Sequence, residues 1–233
     1  MKESLLPNPR VILFDFDGTL VNTTPLILRS FRATWEKMFG FVMDDADYIK
    51  TFGTLLHSAL KGLTTQCVAD GRICAIEDLN ALADELLRTY REFNNQWHDD
   101  VVEAFDGIED ALLELKARDY ELGIVSSKLR IGVERGLNLF AMAEHFDVII
   151  AADDVNNHKP HPEPLLKALE RFNADPHEAI YVGDSIHDIA AGRAAQMPIA
   201  AAAWGPFPRT DLEELKPDYL LEEPRDLLKL VRN

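Results

Sequence analysis

Val11-Ile12-Leu13-Phe14-Asp15-Phe16-Asp17-Gly18-Thr19 decides the fold. Four apolar residues run without interruption and then stop at two carboxylates. Such a run reads as a strand buried on both faces, as in a parallel sheet. Ligands of an open parallel sheet sit beyond the carboxyl ends of its strands. Asp15 and Asp17 therefore stand where chemistry is expected. Gly18 has no Cβ, which permits a tight turn and a close approach directly behind them.

A helix pattern follows from Pro25, with Leu28, Phe31, Trp35 and Phe39 at helical spacing. Thr23 or Thr24 can cap it, with Pro25 at its first position. From about residue 44 to 98 the pattern stays helical, and Leu82, Leu86, Tyr90, Phe93 and Trp97 recur on one face. Strands and helices then alternate. Helices are expected near 108–115, 130–139, 164–172 and 186–196. Strands are expected at 121–125, 148–150 and 180–182, with a weaker one near 199–203 and a short edge strand at 219–221. This alternation predicts an α/β fold, with a Rossmann-like parallel sheet core, helices on both faces and right-handed crossovers. Residues 1–22 and 101–233 build that core. Residues 23–100 form an inserted α-helical domain, with linkers near 21–24 and 98–107.

The other strand ends repeat the pattern of the first. Ser126-Ser127-Lys128 follows the strand at 121–125, and His158-Lys159-Pro160 lies in the loop after 148–150. Gly183-Asp184-Ser185 follows the strand at 180–182, with Asp188 four residues past Asp184. One sheet edge thus gathers three carboxylates, a hydroxyl and an ammonium, with a fourth carboxylate close behind. Phosphoryl transfer needs such a set, because its catalysis is mostly positioning and charge neutralisation. Carboxylates can hold Mg²⁺, a hard cation that takes oxygen ligands. A carboxylate can also attack phosphorus to give an aspartyl-phosphate. The lysine offsets negative charge, a serine hydroxyl can hydrogen-bond a phosphoryl oxygen, and backbone N–H groups of the Asp-Gly-Thr turn can bind the others.

The stretch Asp15–Val21 resembles the DxDGT(L/V) motif of the haloacid dehalogenase-like (HAD) hydrolases. Ser126, Lys159 and Gly183-Asp184-Ser185-Ile186-His187-Asp188 are similar, in order and spacing, to that family's second, third and fourth motifs. The insertion resembles its small α-helical cap. The resemblance covers essentially the whole chain. It implies that Asp15 is the nucleophile and a Mg²⁺ ligand. It implies that Asp17 is the general acid and base, with a carbonyl on the metal. Asp184 would be a side-chain metal ligand, and Asp188 would support the metal's water shell or Lys159. Ser126, Gly18, Thr19 and Ser127 would hold the phosphate. Family dehalogenases lack the second acid of the first motif. Its presence here as Asp17 implies cleavage of a phosphate ester or anhydride.

Tyr90-Arg91-Glu92-Phe93-Asn94, His98-Asp99, the stretch 123–130 and Asp153-Asp154-Val155 look like the bacterial PpaX-type inorganic pyrophosphatase branch, neighbour to the phosphoglycolate phosphatases. The resemblance implies a small phosphorylated substrate, with inorganic pyrophosphate first and phosphoglycolate as the alternative. Relatives often carry Ile-Gly-Pro in the cap's substrate loop. Here the match is Phe52-Gly53-Thr54, without the proline. Gly53 and His98 are the cap residues expected near substrate. His98, with Asn94 one turn before it, either reaches the substrate or bonds across the hinge.

The composition excludes other classes. A formal charge of -16 provides no basic stripe for a nucleic-acid backbone. No apolar run reaches about 18 residues, and Met1–Pro7 shows no signal-peptide pattern, so a cytoplasmic protein without a membrane partner is expected. Cys67 and Cys74 are too few and wrongly spaced for a zinc ribbon or redox pair and read as reduced thiols. His158, His161 and His187 read as ordinary loop or helix residues. The expected assembly is a monomer or homodimer. Two lesser readings share these strand ends. A phosphomutase would need a mutase signature in the cap, and none is found. A phosphorylated switch module would lack the helical insertion.

Overall fold

The computed structural model describes residues 9–231, so the stretch Met1–Pro7 discussed above lies outside the described residues. Val11–Phe14 forms β1, and its side chains alternate between two cores as the pleat requires. Ile12 and Phe14 join one hydrophobic cluster, while Val11 and Leu13 join the other. The strand is apolar throughout because both of its faces are covered.

β1 pairs in parallel with β4 (Glu121–Val125) and with β6 (Ala179–Gly183). β5 (Val148–Ile150) lies outside β4, and β7 (Ile199–Ala202) and β8 (Tyr219–Leu221) lie beyond β6. The order of the six-stranded sheet is β5-β4-β1-β6-β7-β8. Phe14 is in register with both Ile124 and Val182. The residues that follow these strands therefore emerge at one edge. Helices α5 (Ile108–Ala117) and α6 (Arg130–Leu139) cover one face, through Leu112, Leu115, Val133 and Leu137. Helices α7 (Glu163–Phe172) and α8 (Ile186–Ala194) cover the other, through Leu165, Leu169, Phe172 and Ile189.

After β1 the chain forms a two-residue strand, β2 (Val21–Asn22), which pairs antiparallel with β3 (Glu103–Ala104). Between them lie α1 (Thr24–Phe39), α2 (Asp45–Ile49), α3 (Leu56–Ala69) and α4 (Leu79–Val101). These four helices bury a cluster of their own that includes Phe31, Trp35, Tyr48, Leu60, Leu86 and Tyr90. Phe31 stacks on Tyr48 with ring centroids 5.0 Å apart. Asp78 caps α4 by accepting from the amides of Asn80 and Ala81.

Three features depart from expectation. Thr23 precedes α1 without a side-chain capping bond, and its hydroxyl is buried without a partner among the described residues. α4 runs to Val101 and does not end near 98, because Trp97 and Val101 pack against the sheet's own cluster and draw the helix onto the core. A short helix, α9 (Arg209–Glu214), was not foreseen; it buries Leu212 alone, too little to show as a periodic pattern. No described helix is long and apolar enough to cross a membrane.

Candidate active site

Asp15 leaves the end of β1 buried, with one carboxylate oxygen occupied. Its Oδ1 accepts from the Phe16 amide at 2.7 Å and lies 3.0 Å from Lys159 Nζ. No described residue donates to Oδ2. One oxygen is thus anchored and the other is free. Burial pushes the Asp15 carboxyl up to about 7, Asp188 and Asp17 push the same way, and Lys159 opposes them.

Lys159, 3% exposed, joins this carboxylate to a second network. Its Nζ donates to Asp188 Oδ1 at 2.7 Å and to the Tyr181 hydroxyl at 3.0 Å. Burial alone would depress the ammonium, but Asp15 and Asp188 outweigh it and hold the lysine above its ordinary value. Asp188 is fully engaged. Besides Lys159 it accepts from the Tyr181 hydroxyl at 2.8 Å and from the amide and hydroxyl of Ser185. Burial raises the Asp188 carboxyl, yet Lys159, Ser185 and Tyr181 together hold it below its usual range. Ser185 caps α8 with Asp188 as its reciprocal partner, a capping box that fixes the carboxylate at a helix start.

Asp184 has far fewer partners. Thr19 Oγ1 donates to its Oδ1 at 2.9 Å, and no described residue donates to its Oδ2. Burial, with Asp188 and Asp15 nearby, pushes this carboxyl well above the ordinary range. Gly18 sits against it at φ +82°, and a Cβ there would lie 2.6 Å from Asp184 Oδ2. The turn therefore needs glycine for its backbone conformation and for space.

Carboxylate oxygens of Asp15, Asp184 and Asp188 lie within 4.8 Å of one another, all buried. Three buried carboxylates share one buried ammonium, so the site is short of positive charge. Of the three, Asp15 and Asp184 keep an oxygen that no protein donor uses. Oxygen donors and excess negative charge suit a hard divalent cation.

The other expected residues divide. Asp17 faces the cavity and is held by Lys128, whose Nζ donates to Oδ1 at 2.7 Å. Ser126 lines the same cavity, and its Oγ accepts from the Lys128 amide. Gly53, at φ +83°, arrives on a cap loop that lies on the core. A Cβ on it would come 2.7 Å from Ser185 Oγ. Ser127 lines the cavity, but its hydroxyl donates to the Gly53 carbonyl at 2.7 Å, so it ties cap to core and is not free for a phosphate oxygen. Thr19 is buried outside the cavity wall and orients Asp184. The Gly18 amide is spent within its own turn, on the Val21 carbonyl at 2.9 Å.

His98 does not reach the cavity wall. It is buried, its Nδ1 pairs with Asp99 Oδ1 at 2.7 Å, and burial depresses its ring below the ordinary value. Arg135 of α6 donates to the same Asp99 oxygen at 2.9 Å, so this end of α4 is fastened to the core. His187 likewise serves packing, with a backbone bond to Lys50 of the cap. Asn94 lines the cavity, its amide donating to Ser30 Oγ at 3.3 Å and to the Tyr90 hydroxyl at 3.4 Å.

Two functional candidates escaped the sequence reading. Tyr181 lies within the expected strand at 180–182, and its one signal is a polar-tipped ring inside a buried strand. Lys128 was seen as part of Ser126-Ser127-Lys128 but received no role, since nothing local shows that it reaches Asp17, 111 residues away.

Between cap and core lies a cavity of about 520 Å³, with Asp15 and Asp17 at its core end and cap residues opposite. Fold and site together define a hydrolase with a Rossmann-like α/β core and a helical cap. The chain belongs to the haloacid dehalogenase-like hydrolases, whose family model matches residues 12–202. It is 39% identical over 222 residues to Pyrophosphatase PpaX of Bacillus cereus (strain B4264), covering 95% of this chain and 96% of that one. Among solved structures, it is similar to a candidate phosphoglycolate phosphatase of Lactobacillus plantarum. The TM-score is 0.81 and the identity 29%, with 96% of this chain and 100% of the other covered. It is also similar to the haloacid dehalogenase-like family protein SP0104 of Streptococcus pneumoniae, with TM-score 0.78, identity 26%, and coverage of 95% and 97%.

Proposed function

We propose that the chain is a Mg²⁺-dependent phosphohydrolase that works through a phosphoaspartate on Asp15, with inorganic pyrophosphate as its substrate. The observation that carries this reading is the division of labour on one carboxylate. Asp15 Oδ1 is pinned by the Phe16 amide and Lys159, no described donor uses Oδ2, and the residue lines the cavity. Oδ2 attacks phosphorus, and the bond from phosphorus to the leaving oxygen breaks. Asp17 gives that oxygen its proton. Water then attacks the phosphorus of the acyl phosphate and yields its proton to Asp17. The bond to Asp15 breaks, inorganic phosphate leaves, and both carboxyls return to their starting states.

Lys159 balances charge beside the nucleophile, while Asp188 and Tyr181 hold that ammonium in place. Ser126 hydrogen-bonds the transferring phosphoryl group. The carboxylates of Asp15 and Asp184 and the carbonyl of Asp17 are the groups that would hold Mg²⁺, with Asp188 in support through Lys159. Bound there, the cation neutralises charge on the phosphoryl oxygens. Phosphoglycolate is the second reading, favoured by the structural likeness to a candidate enzyme of that kind.

The test is phosphate release with and without Mg²⁺ from pyrophosphate, phosphoglycolate and an aryl phosphate, with Asp15→Asn as control. Release from pyrophosphate that needs Mg²⁺ and vanishes in Asp15→Asn supports the reading. Undiminished turnover by Asp15→Asn removes it.

A further inference from the structure

The protein carries 40 acidic against 24 basic side chains, yet in the cavity between cap and core the fixed cations Lys128 and Arg91 match the acids Asp15 and Asp17 in number. Asp15 and Asp17 are the only acids among the described residues that line it, and both belong to the reacting end. Beyond them the charged wall is Lys128, Arg91 and the ionisable His57. Lys128 is committed to Asp17, and His57 lies 3.2 Å from Asp84. Arg91 has no hydrogen bond or ion pair with any described residue.

Its place on α4 is not incidental. Leu87, Arg91, Asn94 and Asn95 all line the cavity and are spaced as i, i+4, i+7 and i+8, one continuous helix face. Tyr90, Arg91's neighbour in sequence, lines the same cavity as Asp15 and Asp17, and burial and then the charge of Asp17 raise its hydroxyl. The hydroxyl of Thr23, a residue of the same cavity wall, is buried without a partner among the described residues. A guanidinium on a cavity wall, unpaired in an acidic protein, is suited to one task. It presents a rigid fork of donors that matches a phosphate or carboxylate in two parallel hydrogen bonds.

We infer that Arg91 is a specificity-determining residue that receives an anionic group on the leaving portion of the substrate, opposite the phosphoryl group attacked by Asp15. The inference rests on the phosphohydrolase reading above. At the reacting end positive charge comes from Lys159 and from the cation that the carboxylates would hold, and Arg91 supplies it at the far end. A substrate with two anionic ends then spans the cavity from core to cap. One end meets the nucleophile, and the other meets α4. The unpaired charge of Arg91 also offers an anion a local attraction in a protein whose overall charge repels it. A substrate with a neutral leaving group gains nothing from Arg91.

The experiment compares kcat/KM of the parent, Arg91→Ala and Arg91→Lys on pyrophosphate, phosphoglycolate and an aryl phosphate with Mg²⁺ present. Losing a hydrogen-bonded charge pair corresponds to about a 10- to 100-fold loss. The ratio of anionic-substrate to aryl-phosphate kcat/KM should fall by that factor in Arg91→Ala and partly recover in Arg91→Lys. A fall confined to pyrophosphate assigns the subsite to phosphate, one confined to phosphoglycolate assigns it to carboxylate, and a fall in both assigns it to either anion. An unchanged ratio in active enzyme, including an equal loss on all three substrates, overturns the role of Arg91 and leaves the phosphohydrolase reading standing. A parent that hydrolyses none of the three overturns both.

Discussion

The two ends of the cavity are built on opposite rules. At the core end, Asp15, Lys159, Tyr181 and Asp188 form one buried network in which Asp188 accepts from four donor groups and the Lys159 ammonium touches three partners. At the cap end, the side chains facing the same space are apolar, such as Ile27, Leu56 and Leu87, or loosely held, such as Asn94 and Arg91. A buried polar group without partners is costly, so the core end admits little change. Exposed side chains on a helix face carry no such constraint. The difference teaches where chemistry and selectivity reside. On the function proposed above, the reaction would depend on groups that cannot move, and discrimination on groups that can be exchanged without unfolding the protein.

The strongest way to break this comparison is to attack the core end. Asp15→Asn keeps the shape but removes the nucleophile, since an amide does not attack phosphorus. Turnover should fall on the order of 10⁴-fold or more, as when a covalent nucleophile is deleted elsewhere. Thermal stability should hold or rise, because the substitution removes a buried carboxylate that burial disfavours in its charged form. Steady-state phosphate release and a melting curve check the two halves. A variant that loses its fold along with its activity would blur the distinction between reacting group and scaffold.

Lys159→Met should come next and should differ in kind. It leaves Asp188 charged and buried with its ammonium gone, a change that costs roughly 3–5 kcal/mol when one partner of a buried pair is removed. Denaturant unfolding should show that loss. Tyr181→Phe, which deletes one hydroxyl from the same network, should cost roughly 1–3 kcal/mol. A Lys159→Met protein as stable as the parent would mean that the core network does not hold the site together.

Acidity sharpens the comparison without any mutation. Asp15 is raised to about 7 by burial, and Asp184 is raised for the same reason. A carboxyl raised in the folded state binds its proton more tightly there than in the unfolded chain. Its contribution to stability is complete below about pH 4 and is lost as pH rises through about 7 for Asp15. A divalent cation replaces the missing positive charge only once those protons have left. Saturating Mg²⁺ should therefore raise the melting temperature by roughly 5–10 °C at pH 8. At pH 5 the rise should be clearly smaller. Comparing melts with and without Mg²⁺ at each pH cancels the other titrating groups. Equal shifts at both pH values would contradict a metal seat made of Asp15 and Asp184.

Sequence legibility follows the same division. The sheet was legible because a strand covered on both faces must be apolar at every position, as Val11–Phe14 is. The placement of Asp15, Ser126 and Asp184 was legible because each follows a strand directly, and a parallel sheet delivers such positions to one edge. Contacts between distant segments were not. Thr19 reads like a phosphate ligand, yet its hydroxyl turns to Asp184, 165 residues away. His98 reads either as a substrate contact from the cap or as a bond across the hinge, and its pairing with Asp99, which Arg135 of the core also holds, fits the second. The packing of Trp97 and Val101 onto the core carries that end of α4 under the sheet's cluster and away from the cavity. Arg91 sat in plain view as one more charged residue on an amphipathic helix. Its significance depends on what it does not touch, and no local pattern encodes that.

The smallest effect concerns the seam between the two ends. Ser127 donates to the Gly53 carbonyl at 2.7 Å, a link between the core and the cap loop that a merely phosphate-binding serine would not make. Closing a lid excludes water and completes a site, so a bond made only when cap meets core favours the closed arrangement. Ser127→Ala removes one hydrogen bond worth about 0.5–1.5 kcal/mol. The closed population should fall by about two- to tenfold, and KM for pyrophosphate should rise by a comparable factor while global stability stays within about 0.5 kcal/mol. Hydrogen exchange at residues 51–55 should quicken in the variant. If the serine instead held the transferring phosphate, kcat would fall and exchange in that loop would not change. The two roles therefore separate by which parameter moves.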